Sequence, residues 1–209
     1  MQSYRTLTLG YLAGLITPLW LAFGVALAGA LYPGYSHFDQ AMSLLGAEGA
    51  PTRLISPMIN NFPLGALFML FGVAVLLSFD NCWARFSGLL IILHGLGSFG
   101  TGYFPCDAGC APQSPSTSQN VHNLGGLVMA LSLLLASALW VYLGRRLLGS
   151  RRFSWFSLVC TLLALGTLPL MAAAVQSGQG FGFYQRINYG VSLLWVATLA
   201  LVLMRRSRG

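Results

Sequence analysis

Histidine and aspartate near one polar connection are the residues of this chain best suited to acid–base chemistry. Asp107 lies in the stretch 105–120, and His122 begins the apolar run that follows it. A carboxylate can orient a histidine for proton transfer, so we interpret the two as a candidate catalytic pair. A histidine at this place can also be a simple anchor at a helix end. The sequence alone therefore does not decide whether the protein is an enzyme.

A second candidate set combines arginine with carboxylates and amides. Arg186 starts the last apolar run, where an arginine opposes both the helix dipole and the charge bias of membrane proteins, so we expect it to have a partner. Three carboxylates are available, namely Asp39, Glu48 and Asp107, and a lipid phosphate is the alternative. Arg53 has the same options. The candidate ligand-binding residues of this set are Arg186, Arg53, Asp39, Asn60 and Gln185.

Two cysteines flank three residues in the same stretch as Asp107. Cys106 and Cys110 lie in a connection that we place outside the cytoplasm below, where thiols oxidise, so we predict a disulfide between them. The alternative is a metal site that uses both thiolates with His122. The spacing lacks the second cysteine pair of a zinc ribbon, so we predict no metal and leave any cofactor unassigned.

His94 lies deep in an apolar run, about 15 Å below its outer end at 1.5 Å per residue. Ionisable side chains at such depth face the interior of a helix bundle and are candidates for function. The alternative is a neutral histidine that is hydrogen-bonded to Ser98, Thr101 or a backbone carbonyl. Its depth argues against a zinc site shared with the chain's other two histidines.

Long apolar runs must position all of these side chains. Charged residues make up only 7% of the chain, and its basic residues are all arginine. Six runs have about the 20 apolar residues that a membrane-spanning helix needs, and they cover 7–31, 58–79, 86–104, 121–143, 153–175 and 187–204. We therefore predict one domain over residues 1–209, an all-α integral membrane protein with six transmembrane helices. The first run is longer than the core of a signal peptide, so we expect it to remain as a span.

The arginines predict which way the bundle lies in the membrane. Nine arginines and Asp80 fall on one side of the six runs, whereas two arginines and three carboxylates fall on the other. Short loops rich in arginine stay in the cytoplasm, so we predict a bacterial inner-membrane protein with both termini cytoplasmic. This bias also accounts for the positive net charge, so we expect membrane lipids as partners and no nucleic acid. The outer connections 32–57, 105–120 and 176–186 then hold nearly all residues suited to chemistry.

Local patterns predict further detail. Ser36 and Asp39 have the spacing of a capping box, and Phe38, Met42 and Leu45 follow at helical spacing, which predicts a short interfacial helix over about 37–45 rather than an unstructured loop. Prolines inside three runs predict kinks at Pro18, Pro63 and Pro169. Small residues of the third run, centred on Gly95 and Gly97, predict close packing against Gly126 and Ala130 of the fourth.

Several short motifs resemble those of the bacterial six-span family catalogued as domain of unknown function 998. Its S-x-L-G and F-P-x-D elements, a following histidine and a late arginine match Ser43/Leu45/Gly46, Phe104/Pro105/Asp107, His122 and Arg186. Leu44 stands where that family often has an acidic residue. The resemblance implies six spans and no established activity, and it adds Ser43 to His122 and Asp107 as a candidate catalytic residue. A more distant similarity to the seven-span ceramidase and adiponectin-receptor group is limited, because this chain lacks their late H-x-x-x-H pair.

These observations predict a polar pocket that opens outward and binds a lipid or other amphiphile. One alternative is a membrane-embedded hydrolase or transferase that uses His122 and Asp107, with or without a metal. A further alternative is an assembly subunit or a small transporter. The apolar cytoplasmic halves of the spans argue against a polar permeation path.

Overall fold

Seven α-helices make up most of the described chain. The computed structural model describes residues 2–207, with side chains from residue 7 onwards, and it contains no strand in that range. The helices are α1 Gln2–Ala30, α2 Ile55–Ile59, α3 Asn61–Leu77, α4 Cys82–Tyr103, α5 Thr117–Leu148, α6 Arg151–Ser177 and α7 Phe181–Arg206. Counting α2 and α3 as one, six are long and apolar enough to cross a membrane. The predicted all-α, six-span architecture is therefore confirmed.

The six spans form a closed ring. Each span packs against its neighbours in the chain, and α1 packs against α7. The turns 78–81 and 149–150, the start of α1 and the end of α7 lie at one end of the ring, which we call the short-turn end. The connections 31–54, 104–116 and 178–180 lie at the other, the long-loop end. The ring arrangement encloses an interior that side chains from every span can reach.

The second span is broken where the sequence predicted one continuous helix with a kink. Asn60 separates α2 from α3, and Pro63 lies in the first turn of α3. Proline has no N–H to give the carbonyl of Ile59 four residues earlier. Trp20 Nε1 of α1 donates to that carbonyl instead, at 2.8 Å. Pro18 and Pro169, in contrast, lie inside α1 and α6 as predicted.

Two predicted details of the long-loop end differ from the structure. The short helix of the first connection is a 3₁₀ helix over Met42–Gly46, not a helix beginning near residue 37. The predicted cap between Ser36 and Asp39 does form, but it closes a single turn. The last connection is only 178–180, because Gly178 and Gly180 adopt left-handed φ angles of 73° and 77° that end α6 and start α7 within three residues.

Glycines bring α3 and α4 into backbone contact. A Cβ added to Gly72 would lie 2.7 Å from the Gly88 carbonyl oxygen, and one added to Gly95 would lie 2.7 Å from the Gly65 carbonyl oxygen. Both pairs have seven-residue spacing on antiparallel helices, so they share one face. The predicted close packing of the third and fourth spans is present, but it involves Gly125 rather than Gly126. A Cβ at Gly97 would lie 3.1 Å from the Gly125 carbonyl oxygen, whereas one at Gly126 would meet nothing within 4 Å.

Large side chains fill the short-turn half of the ring. Trp140 and Trp195 are both fully buried, and each indole N–H donates to a serine hydroxyl, on Ser87 and Ser157 respectively. A buried indole needs such a partner, because an unpaired donor in an apolar interior is costly. Buried side chains therefore fill the interior at this half, and the interior cavity described below lies toward the long-loop end.

Candidate functional site

A cavity of about 340 Å³ occupies the long-loop half of the ring. Its polar lining consists of uncharged groups and histidines, namely Ser43, Ser56, Asn60, Asn61, His94, Ser98, Thr101, His122, Gln185, Asn188, Tyr189 and Ser192. Its apolar lining includes Leu21, Val25, Leu64, Leu133 and Met171. Among the described residues, no arginine, aspartate or glutamate lines it. The cavity is thus amphiphilic and without formal charge when its histidines are neutral.

His94 forms the floor of the cavity and links three helices. It is 1% exposed, and Phe68 packs against its ring with 4.2 Å between centroids. Its Nδ1 lies 2.9 Å from the Met129 carbonyl of α5, and its Nε2 lies 2.9 Å from the Tyr189 hydroxyl of α7. A carbonyl only accepts, so Nδ1 donates and Nε2 accepts from Tyr189. Of the expected partners, the structure contains a carbonyl rather than Ser98 or Thr101.

His122 lies on the wall of the cavity with one ring nitrogen unused. Its Nδ1 donates to the Phe104 carbonyl at 2.8 Å, which leaves the lone pair on Nε2. No described side chain bonds to Nε2. His122 is therefore held in the tautomer that accepts a hydrogen bond or a proton from a molecule in the cavity.

The break at Asn60 adds an amide to the wall. Asn60 is 6% exposed, and its Oδ1 has no hydrogen-bond partner among the described residues. This oxygen lies so close to Gly24 of α1 that any Cβ there would collide with it. The neighbouring Asn61 donates from Nδ2 to Thr101 Oγ1 at 3.0 Å, which joins α3 to α4 beside the cavity.

The 3₁₀ helix Met42–Gly46 covers the cavity, and its neighbours hold it from two sides. Gln185 Oε1 of α7 accepts from the Met42 N–H at 2.8 Å. On the other side, the Glu48 N–H donates to the Cys106 carbonyl at 2.9 Å. The predicted Cys106–Cys110 disulfide is present, with Cys106 fully buried and its sulfur 3.6 Å from the Ser43 carbonyl. The disulfide loop therefore supports the roof that carries Ser43.

Arg186 anchors the first connection to α7 outside the cavity lining. Its Nη1 donates to the carbonyls of Gln40 and Gly182, and its Nη2 donates to the Tyr35 hydroxyl at 2.8 Å and to His37 Nδ1 at 3.1 Å. Burial lowers the pKa of His37, and the Arg186 charge lowers it further. Burial also raises the pKa of Tyr35, against the opposing effect of Arg186. Within the described chain, the expected carboxylate partner for Arg186 is absent.

The three carboxylates at the long-loop end bond to groups other than Arg186 and His122. Asp39 accepts from the Gly180 N–H at 2.9 Å, and this bond and the Ser36 hydroxyl hold the pKa of Asp39 below its usual value. Glu48 pairs with Arg53 at 2.7 Å. Asp107 accepts from the Ser116 hydroxyl and from its N–H, which lowers the pKa of Asp107. These contacts stabilise turns and helix ends at the long-loop end.

The sequence-predicted site residues thus separate into two groups. Ser43, His122, Asn60 and Gln185 line the cavity, whereas Asp107, Asp39, Arg53 and Arg186 do not. In the described contacts, His122 bonds to Phe104 and Asp107 bonds to Ser116, so the expected pair does not form a hydrogen bond. Within residues 2–207, no three side chains of the metal-ligating types come together as a metal site would require.

Several residues that line the cavity were not among the site residues predicted from the sequence. Asn188 and Tyr189 lie two and three residues after the late arginine, and their position on α7 turns them inward. Asn188 Nδ2 donates to the Ala164 carbonyl and to Thr167 Oγ1, so it also joins α6 to α7. The available signal was an amide and a tyrosine in the first turn of the predicted span 187–204, because polar groups within a span face the interior of a bundle.

One family model matches the chain over residues 15–202, and its description is "Protein of unknown function (DUF998)". No curated protein and no solved structure matches the chain. The match covers most of the chain and includes at least part of each of the six spans, and it agrees with the resemblance of the short motifs. The chain therefore belongs to the DUF998 family of proteins of unknown function.

Proposed function

We propose that the protein binds a lipid or other amphiphile with an uncharged polar headgroup in the cavity at its long-loop end. The observation that carries this proposal is the composition of the lining, where hydroxyls, amides and two histidines face one interior with leucine, valine and methionine. A charged headgroup would lack a counter-charge there, and an unpaired buried charge is very unfavourable. The volume of about 340 Å³ is within the range of small-molecule sites.

The unused nitrogen of His122 supports recognition of a hydroxyl or amide donor. Its Nε2 lone pair can accept a hydrogen bond, while the polar groups near Asn60 and Gln185 supply further partners at the same level. Buried polar sites of this kind discriminate strongly against ligands that leave their groups unpaired. The same arrangement gives less support to a hydrolase, because Asp107 is bonded to Ser116 rather than to His122.

An incomplete wall beside α5 supports access from the bilayer. Gly126 and Ala130 line the cavity and are exposed at the same time. On α6, Leu168, Pro169 and Leu170 are exposed in succession. The hydrogen bond that joins α5 to α6, between Ser137 and Thr161, lies nearer the short-turn end. An amphiphile therefore enters sideways between the long-loop halves of α5 and α6.

Two bulky residues at this opening are expected to exclude the ligand. In the variant Gly126→Trp/Ala130→Trp, two indoles one turn apart fill the opening. We expect at least fivefold less lipid with an uncharged headgroup per protein, measured by mass spectrometry of lipid extracted after purification in a neutral detergent. The matched control is Gly166→Trp/Leu170→Trp, an exposed pair with the same spacing on α6 outside the lining.

Three results would contradict the proposal. These are an unchanged amount of uncharged-headgroup lipid in the α5 variant, an equal loss of it in the α6 control, or selective loss of an anionic lipid in the α5 variant. Intact folding is checked in both variants by thermal unfolding, since a Cβ at either glycine meets nothing within 4 Å.

We further propose that the cavity faces outward from a bacterial inner membrane, with both termini in the cytoplasm. The distribution of arginines supports this orientation, because they concentrate at the short-turn end. Cys82 is exposed at that end, Cys160 is buried and the other two cysteines form the disulfide. In intact cells, a membrane-impermeant maleimide should therefore leave Cys82 unlabelled and label a Gly49→Cys variant. Labelling of Cys82 without permeabilisation would reverse the orientation.

A further inference from the structure

A groove at the opposite, short-turn end has no role in the proposed amphiphile site. It runs between the end of α5 and the start of α6 and has a volume of about 1020 Å³. Arg145, Arg146 and Arg151 line one end of it, and we call it the arginine groove. All three arginines are exposed. The ion pair of the described chain joins Arg53 to Glu48 at the other end of the molecule, so no described carboxylate lies within ion-pair distance of the groove's arginines.

The three arginines differ from Arg206 at the same end. Arg206 donates to the Leu147 carbonyl at 2.7 Å and lies over the Phe79 ring, so it fastens the end of α7 to its neighbours. No corresponding contact engages the side chains of Arg145, Arg146 or Arg151 among the described residues. Their charges are therefore available to a ligand rather than used by the fold.

The lining of the groove changes character with depth. On α5, helical spacing places a cation, an aromatic ring and an aliphatic side chain in order, namely Arg145, Tyr142 and Ala138. On α6, the same order is repeated by Arg151, Trp155 and Leu158. The two helices are antiparallel across the turn 149–150, so both gradients run from that turn toward the middle of the bundle. Each gradient covers seven residues, about 10 Å at 1.5 Å per residue.

We infer that the arginine groove binds an anionic phospholipid. Guanidinium groups pair with phosphate oxygens through charge-assisted hydrogen bonds. Tyr142 is 63% and Trp155 67% exposed, as aromatic residues at a membrane–water boundary are. The aliphatic end offers a surface for acyl chains. A soluble acidic peptide or a nucleic acid would satisfy the arginines and leave the aromatic and aliphatic part of the groove uncovered.

Charge-matched variants test this inference. The full-length protein in a neutral detergent is titrated with phosphatidylglycerol or phosphatidylcholine, and bound lipid is counted by native mass spectrometry. The variant Arg145→Gln/Arg146→Gln/Arg151→Gln is expected to bind phosphatidylglycerol at least tenfold more weakly. The control Arg85→Gln/Arg152→Gln/Arg205→Gln removes three exposed arginines from the same end outside the groove, and a change below about twofold is expected there.

The neighbouring residues Arg151 and Arg152 provide the sharpest comparison and do not depend on the stability of a triple variant. Arg151 lines the groove and Arg152 does not, so Arg151→Gln should weaken phosphatidylglycerol binding about threefold or more and Arg152→Gln should not. Equal effects of the two changes would overturn the inference in favour of diffuse attraction. Equal binding of phosphatidylcholine, or displacement of the lipid by 10 mM inorganic phosphate or by polyglutamate, would overturn it as well.

Discussion

The variant Gly88→Val is expected to lose the folded bundle, or to unfold at a temperature lower by about 10 °C, as overpacking of about 3 kcal/mol implies. A Cβ at Gly88 would lie 2.8 Å from both the Gly72 carbonyl oxygen and the Leu76 N–H nitrogen. Both are backbone atoms of α3, so no side-chain rotation can relieve the contact. The helices must separate, and the surrounding apolar side chains then lose their packing.

A control on the same helix isolates the close approach of the two helices. Gly100 also lies in α4, and a Cβ there would meet nothing within 4 Å. Gly100→Val carries the same helix propensity and adds the same volume, so its unfolding temperature should change by only a few degrees. Thermal unfolding of both proteins in detergent, followed by tryptophan fluorescence, is the measurement. Similar destabilisation of the two variants would mean that α3 and α4 do not touch at Gly88.

The second large effect is expected at His94. His94→Leu removes the link between α4, α5 and α7 and leaves the Tyr189 hydroxyl without its acceptor. An unsatisfied buried hydroxyl and the lost hydrogen bonds together cost about 2–3 kcal/mol. Tyr189→Phe leaves His94 Nε2 without its donor and should cost about 1–2 kcal/mol for the same reason. Chemical unfolding of the purified variants gives both values.

The double variant distinguishes a hydrogen bond from general loss of packing. When both polar partners become apolar, neither is left unpaired, so His94→Leu/Tyr189→Phe should cost less than the sum of the two single changes. A coupling of about 1 kcal/mol is expected for residues in direct contact. Strictly additive costs would show that the Nε2–hydroxyl contact contributes nothing to stability.

The first connection illustrates how far local pattern predicts structure. The cap between Ser36 and Asp39 follows from two residues at fixed spacing, and it forms. The helix expected to continue from it does not form. Phe38, Asp39 and Gln40 instead accept hydrogen bonds, through backbone carbonyls or a carboxylate, from α7 and the residue just before it. Contacts with a segment more than a hundred residues away outweighed a weak local preference, and only the closed ring brings that segment near.

The sequence did not predict the partners of the charged residues. The sequence placed arginine, carboxylates and histidine at one end of the bundle, and they lie there. The sequence offered three carboxylates, or alternatively a lipid phosphate, as partners of Arg186, whereas within the described chain Arg186 meets carbonyls, a tyrosine and a histidine. Asp107 lies only nine residues from Ser116, and the chain between them folds back on itself. Such short-range pairings are set by the turn geometry of each connection, which composition and periodicity do not encode.

By itself, the sequence determined the number of spans, the all-helical architecture and the disulfide, because apolar length, scarce charge and cysteine spacing act locally and leave few alternatives. Only the tertiary structure decided which polar groups share a cavity. The closure of α1 onto α7, the backbone contact at Gly72 and Gly88, and the break at Asn60 fix how each helix is rotated and where its polar side chains meet. Helix rotation depends on packing between distant segments, and no single segment carries that information.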